Sequence, residues 1–302
     1  MLTRVAVLAS AALLAGLLPA AGAAADETSL QPRTRADATV QPEAGQPVGH
    51  GRGQLVPIAP VADDALSAAL ADGSISQARY ALERARSLFT SQRVERRYGD
   101  VATPDPREAT LILRDLALVA DDLAPTGRED AQRLLARPTD GAADPDGTGY
   151  RTSNTASFCS THMCYHWARD TSDAPSLTDA DGDTVPDWVE TTATEFERVW
   201  RAEVNSYEYR APKSDIASPN NGGDQRLDVY LADTGADNLY GYCATDDPDE
   251  PFLWDLSAYC VVDNDFAKAQ FAAPPLNSLR VTAAHEFFHA VQFAYDIGED
   301  GG

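Results

Sequence analysis

The chain has 302 residues, with 24 Lys and Arg against 47 Asp and Glu, for a formal charge of −23. That length supplies one large or two modest domains with a substantial core. The acidity argues against nucleic acid or an anionic membrane surface as a partner, since both repel negative charge.

Arg4, the apolar run Val5 to Leu18, Pro19 and the small residues ending in Ala23-Ala24-Ala25 have the form of a secretory signal over residues 1–25. Cleavage is expected before Asp26, or else after Ala23. The run falls short of the roughly 20 residues a bilayer requires, so a secreted, extracellular protein without a stable membrane anchor is expected. Residues 26–60 are rich in Pro, Gly, Ala and polar side chains without apolar periodicity, which predicts a disordered linker.

Residues 61–150 read as helical. Ser74 and Gln77 suggest a capping box ahead of Ala78, Ala81, Ala85 and Leu88, which recur at helical spacing. A second helix is expected over Glu108 to Leu123, and a third over Arg128 to Ala136, ending before Pro138. This block is either a pro-segment or an N-terminal subdomain. Asp140 to Tyr150 is a turn-rich boundary, after which residues 151–302 change to strands and acidic loops.

Export makes the four cysteines expected disulfide partners. Three connectivities are possible; Cys159 with Cys164 and Cys243 with Cys260 are favoured because each pair brackets a short segment. Phe158 to Ala168 reads as one extended segment carrying Cys159, His162, Cys164 and His166, which invites a second zinc site. The spacing lacks the loop that wraps a tetrahedral metal, and an oxidising compartment favours a disulfide with structural histidines instead.

Thr178 to Glu190 places Asp179, Asp181, Asp183, the Val185 carbonyl, Asp187 and Glu190 at positions 1, 3, 5, 7, 9 and 12 of an EF-hand-like loop. These are the offsets of a Ca²⁺ site, with Thr184 where position 6 wants glycine. The other reading is an acidic turn capping a helix over Pro186 to Glu203. Asn220 to Asp224 is a loop; Arg226 to Ala232 and Ala258 to Val262 read as strands, the second ending in a solvated Asp263-Asn264-Asp265 turn. Pro274 and Pro275 introduce a helix, with Asn277 or Ser278 as its cap.

That helix carries His285-Glu286-x-x-His289. Side chains four apart share a helix face, so both imidazoles can reach one Zn²⁺, with Glu286 as the general base for the hydrolytic water. Five histidines in the chain make this pairing specific. The third ligand is not apparent. A metzincin would need Gly and His where Gln292 and Tyr295 stand. Asp296, seven residues on, lies about 10 Å along the axis, and Glu299 and Asp300 follow Gly298 with only two glycines after them. The expectation is a catalytic region truncated at its C-terminus, its third ligand beyond Gly302.

The segments Cys164-Tyr-His-Trp, Asp181-Gly-Asp-Thr-Val-Pro-Asp-Trp-Val-Glu190, Gly223-Asp-Gln-Arg-Leu-Asp-Val-Tyr-Leu231, Tyr240-Gly-Tyr-Cys243, Val262-Asp-Asn-Asp265 and Ala284-His-Glu-Phe-Phe-His-Ala-Val-Gln-Phe-Ala-Tyr-Asp296 together resemble a family of secreted bacterial zinc metalloproteases. The resemblance implies an α+β, zincin-like catalytic domain, a mixed sheet plus an active-site helix, preceded by a small helical segment. It also implies a gluzincin-like Glu on a following helix as third ligand. The expected function is a secreted zinc endopeptidase acting on protein or peptide substrates. The alternatives are a truncated, inactive zincin-like remnant serving as a calcium-stabilised binding module, or an unrelated domain whose HExxH is structural.

Overall fold

A computed structural model describes Ile58, Pro60 and residues 62–140, 148–246 and 255–297. The expected signal, nearly all of the expected linker, most of the 140–150 boundary, and Gly298, Glu299 and Asp300 lie outside the described residues.

Four helices come first: α1 (Ala65–Ala71), α2 (Gln77–Tyr98), α3 (Ala109–Val119) and α4 (Pro125–Leu134). The cap of α2 is Ser76, whose Oγ accepts from the Arg79 N–H at 3.1 Å. Ser74 instead joins Asp72 in the preceding turn, so the expected capping box is displaced. The α3 stretch is helical where its apolar spacing predicts, with 3-10 turns at Pro106–Glu108 and Ala120–Asp122 tightening its ends.

Five strands follow among the described residues: β1 (Thr155–Cys159), β2 (Met163–Ala168), β3 (Leu227–Ala232), β4 (Gly241–Ala244) and β5 (Tyr259–Asp263). They form one mixed sheet in the order β1-β2-β3-β5-β4. The inner pairs β2/β3 and β3/β5 are parallel; the outer pairs β1/β2 and β4/β5 are antiparallel. Parallel neighbours need a crossover, and α5 (Asp187–Trp200), running on into a π-helical turn at Arg201–Ser206, supplies the one between β2 and β3. The short α6 (Lys268–Phe271) and the long α7 (Pro275–Tyr295) complete the chain, giving a mixed α+β fold with seven α-helices among the described residues.

Both faces of the sheet are covered. One buries Tyr230, Tyr242, Ala244, Tyr259 and Val261 against the α1–α4 block. The other buries Tyr165, Trp167, Val229, Leu231 and Val262 against α5 and α7. This is why β2, β3, β4 and β5 are buried at every position, and why the alternation expected of a half-solvated strand is missing from β3. The stretch Phe158 to Ala168 is a hairpin, because the chain reverses between Cys159 and Met163. The Asp263-Asn264-Asp265 turn is buried rather than solvated at its first two residues. Asp263 accepts from the backbone N–H groups of Gly235, Asp265 and Phe266, and Asn264 donates to the Ser172 and Ala174 carbonyls.

The block is fastened to the sheet by one guanidinium. Arg137, 2 % exposed, bonds Asp215 at 2.7 Å through Nη2, Asp246 at 2.8 Å through Nε, and Asp228 through Nη1. Asp228 also accepts from His166 Nε2 at 2.7 Å. Tyr259 reaches the other way, donating to the Leu135 and Ala136 carbonyls at the end of α4. Burial pushes the Asp215 carboxyl up to about 6 despite Arg137 beside it. Burial also works against the Arg137 charge, but the surrounding acids outweigh it and hold the guanidinium fully protonated.

Removing one partner of a buried ion pair strands the others, at a cost of about 3–5 kcal/mol. Arg137→Ala should therefore lower the urea unfolding free energy by about that much; a loss below about 1 kcal/mol, within the range of an exposed pair, would show the network is not what joins block to sheet.

Candidate metal centre

Helix α7 begins at Pro275, with Pro274 at the N-cap position; Asn277 and Ser278 lie inside its first turn rather than capping it. Proline fits there because a first-turn residue has no intrahelical N–H bond to lose. No proline or glycine interrupts the rest of this 21-residue helix after Pro275, so it runs through the His-Glu-x-x-His segment to Tyr295. Its Leu279, Ala283, Phe287 and Ala290 face the core, and Phe287 packs edge-on against Trp200 of α5.

His285 and His289 converge, their Nε2 atoms 3.2 Å apart. Two nitrogens each about 2.1 Å from a tetrahedral Zn²⁺ lie about 3.4 Å apart, so the pair fits a shared ion. His289 Nδ1 sits 2.8 Å from Gln292 Oε1. An amide oxygen only accepts, so Nδ1 carries the proton and Nε2 keeps its lone pair for a metal. Burial, and then the neighbouring His285, push the His289 imidazole down to about 4, which keeps the ring neutral at physiological pH. Gln292 was legible in principle: it stands three residues past His289, on the same helix face.

Glu286 lies about 100° round the helix from His285. It is 3 % exposed and buried between α3 and β4, where its Oε2 accepts from Thr110 Oγ1 at 3.0 Å. Burial pushes its carboxyl up to about 8, and the Thr110 bond offsets only part of that. The same Thr110 Oγ1 accepts from the Cys243 N–H at 2.8 Å. Nothing in the sequence announces Thr110, because its partner stands 176 positions away. Among the described residues, no third His, Cys, Asp or Glu joins the two histidines in a metal-sized cluster.

Gly241 sets the distance between α7 and the edge strand. A Cβ there would meet the Val261 carbonyl at 2.7 Å, Thr282 Cγ2 at 3.1 Å and Glu286 Cγ at 3.3 Å. An isolated glycine inside a strand is a signal of close approach.

The cysteines pair as Cys159–Cys164 and Cys243–Cys260, each joining register partners of an antiparallel pair. The first bridge removes both sulfurs from any metal; nearby Asp224 is paired with Arg226. His162 lies in the hairpin turn, stacked on Trp200 and 2.8 Å from Glu197. His166 stacks on Tyr230 under the helical block and bonds Asp228. The two rings therefore lie on opposite sides of the sheet, and the four residues make no second zinc site.

In the acidic loop, carboxylate oxygens of Asp179, Asp181 and Asp183 lie within 4.8 Å of one another. Asp179 accepts from the Gly182 and Thr184 N–H groups at 2.7 and 2.9 Å, and Asp187 from Ala180 at 2.9 Å. Partial desolvation and then the charges of Asp183, Asp181, Asp187 and Asp179 raise the Glu190 carboxyl. Thr184 has φ +81°, the left-handed conformation that glycine gives position 6 of a calcium loop. A β-branched residue adopts it at a cost of about 1–2 kcal/mol.

Overpacking at the strand–helix contact is expected to cost about 1–3 kcal/mol. Gly241→Ala should show that loss in thermal or urea unfolding, whereas an unchanged midpoint would mean α7 does not rest on β4 this closely. Comparison with protein-family models, curated proteins and solved structures finds no match to this chain.

Proposed function

We propose that the chain is a secreted, zinc-dependent endopeptidase of zincin type, in which His285 and His289 hold the metal and Glu286 is the general base. The observation that carries this reading is the 3.2 Å convergence of the two Nε2 atoms, with Gln292 fixing the proton on the far side of one ring. Bound Zn²⁺ would supply Lewis acidity toward a peptide carbonyl and an attacking water. The chain's own part is proton handling and orientation. Glu286 takes the proton of the attacking water and returns it to the leaving amine. Gln292 keeps His289 in its ligating tautomer. The antiparallel edge strand β4 lies directly against Glu286, where an extended polypeptide could pair with it. Calcium is proposed for the 179–190 loop, supported by the three converging carboxylates of Asp179, Asp181 and Asp183 and the left-handed backbone at Thr184. Export is supported by the signal-like residues 1–25 and by the two disulfides.

A second reading is favoured by one observation, the lack of a third clustered ligand among the described residues. It takes the protein as an inactive zincin-like remnant, a calcium-stabilised secreted binding module.

Metal analysis separates the two. The peptidase reading expects close to one zinc per purified chain, most of it lost in His289→Ala; equal zinc in both proteins ends it. Glu286→Gln should keep the zinc and lose hydrolysis of an unfolded protein by about 10²–10⁴-fold.

For the loop, added Ca²⁺ should raise the thermal midpoint of the wild type. The shift should vanish when Asp181→Ala and Asp183→Ala are combined; a shift that survives places calcium elsewhere.

A further inference from the structure

A single turn of the N-terminal block touches His285, Glu286 and the edge strand of the proposed site. The Arg107 carbonyl lies 3.4 Å from His285 Nε2, the same nitrogen that faces His289. Three residues on, Thr110 Oγ1 donates to Glu286 and accepts from the Cys243 N–H. That N–H belongs to the sheet's edge strand and is not spent on β5. An unpaired edge N–H is what an extended peptide captures when it adds to a sheet. Thr110 also takes one of the two Glu286 carboxylate oxygens and helps to bury the group, which is 3 % exposed and so shut off from bulk water. One buried hydroxyl, 1 % exposed, therefore engages both the edge N–H and the carboxylate.

The rest of α3 is anchored independently. Ile112, Leu113 and Leu116 are buried in the block's core, and Arg137 fastens the block to the sheet. The first turn hangs on one exposed cap: Asp105 Oδ1 accepts from the Arg107 N–H at 3.0 Å ahead of the 3-10 turn, and Glu108, at the N-cap position of α3 itself, adds no side-chain bond. Helix ends held by little beyond a cap open at lower free energy than the core.

We infer that the turn Pro106–Thr110 is an autoinhibitory latch, which closes the β4 edge to extended polypeptide and Glu286 to its water until it lifts. The block around it remains on the sheet. This inference rests on the peptidase reading for what the latch regulates, and on the edge strand alone for what it blocks.

The test uses the full-length protein and fluorescein-labelled, unfolded casein. Binding is followed by fluorescence anisotropy, with 1,10-phenanthroline present to prevent cleavage. Thr110→Val keeps the side-chain shape and removes both hydrogen bonds; it should bind casein about tenfold more tightly than wild type and exchange the Cys243 amide proton faster. Thr110→Ser, which retains the hydroxyl, should match wild type. Asp105→Ala removes the cap that holds the turn and should bind several-fold more tightly. Unchanged affinity in both Thr110→Val and Asp105→Ala, or shifts of the two in opposite directions, overturns the latch. Should Thr110→Val fail to fold, Asp105→Ala decides alone, and affinity at or below wild type overturns it.

Without chelator, hydrolysis per bound zinc should rise with binding in Thr110→Val, by about the same tenfold. Hydrolysis that falls while binding rises would make the hydroxyl part of the working site and overturn the inference. Released binding with no hydrolysis in any variant would end the peptidase reading while leaving the closed edge strand established.

Discussion

The architecture depends on a charge that arrives early in the chain and is needed late. Arg137, at the end of the helical block, neutralises Asp215, Asp228 and Asp246, which approach from separate segments of the sheet layer. In a protein of net charge −23, three acids gathered in one buried place are affordable only with a cation fixed among them. With that cation in position, the tyrosine-rich face of the sheet closes on α2 and α3, and the block becomes a structural layer with its own share of the core. Tyr259 adds a second tie by donating to the last carbonyls of α4.

The opposite face carries the His-Glu-x-x-His helix. Helix α7 lies close to the edge strand because residue 241 has no side chain, and that closeness brings Glu286 within reach of Thr110 across the edge. His285 is exposed beside this buried corner, while His289 is 7 % exposed. The same helix thus carries a dry carboxylate next to a pair of converging imidazoles. Two disulfides brace the outer strand pairs, so both antiparallel margins of the sheet are covalently tied.

Much of this was legible in the sequence where the signal is local. Apolar spacing placed α3 and α4, the His-Glu-x-x-His spacing placed two rings on one face, and short brackets favoured the observed cysteine pairs. What failed depended on distant partners. β4 has four residues buried on both sides, so no alternation marks it as a strand. Ser74 and Ser76 are both plausible caps, and the choice rests on a turn in which Asp72 captures Ser74. His162 and His166 look like neighbours on one strand face until the hairpin puts the first in the turn. At Thr184 the sequence departs from the calcium-loop pattern, yet the backbone takes the left-handed shape regardless. Thr110 has no local signal at all.

The bond between Thr110 and Glu286 also bears on how the molecule is assembled in time. It closes a loop of 176 residues, and the Arg137 ion pairs close loops of 78 to 109. Contacts of such sequence separation must meet their closure entropy before any energetic return, which slows folding relative to helical bundles of similar size. During vectorial synthesis the helical block emerges first with its sheet-facing tyrosine partners still unmade, and β4 emerges before the helix that backs it. The His-Glu-x-x-His face is therefore the last part of the described fold to acquire its surroundings, and a chain caught partway exposes an unprotected sheet edge.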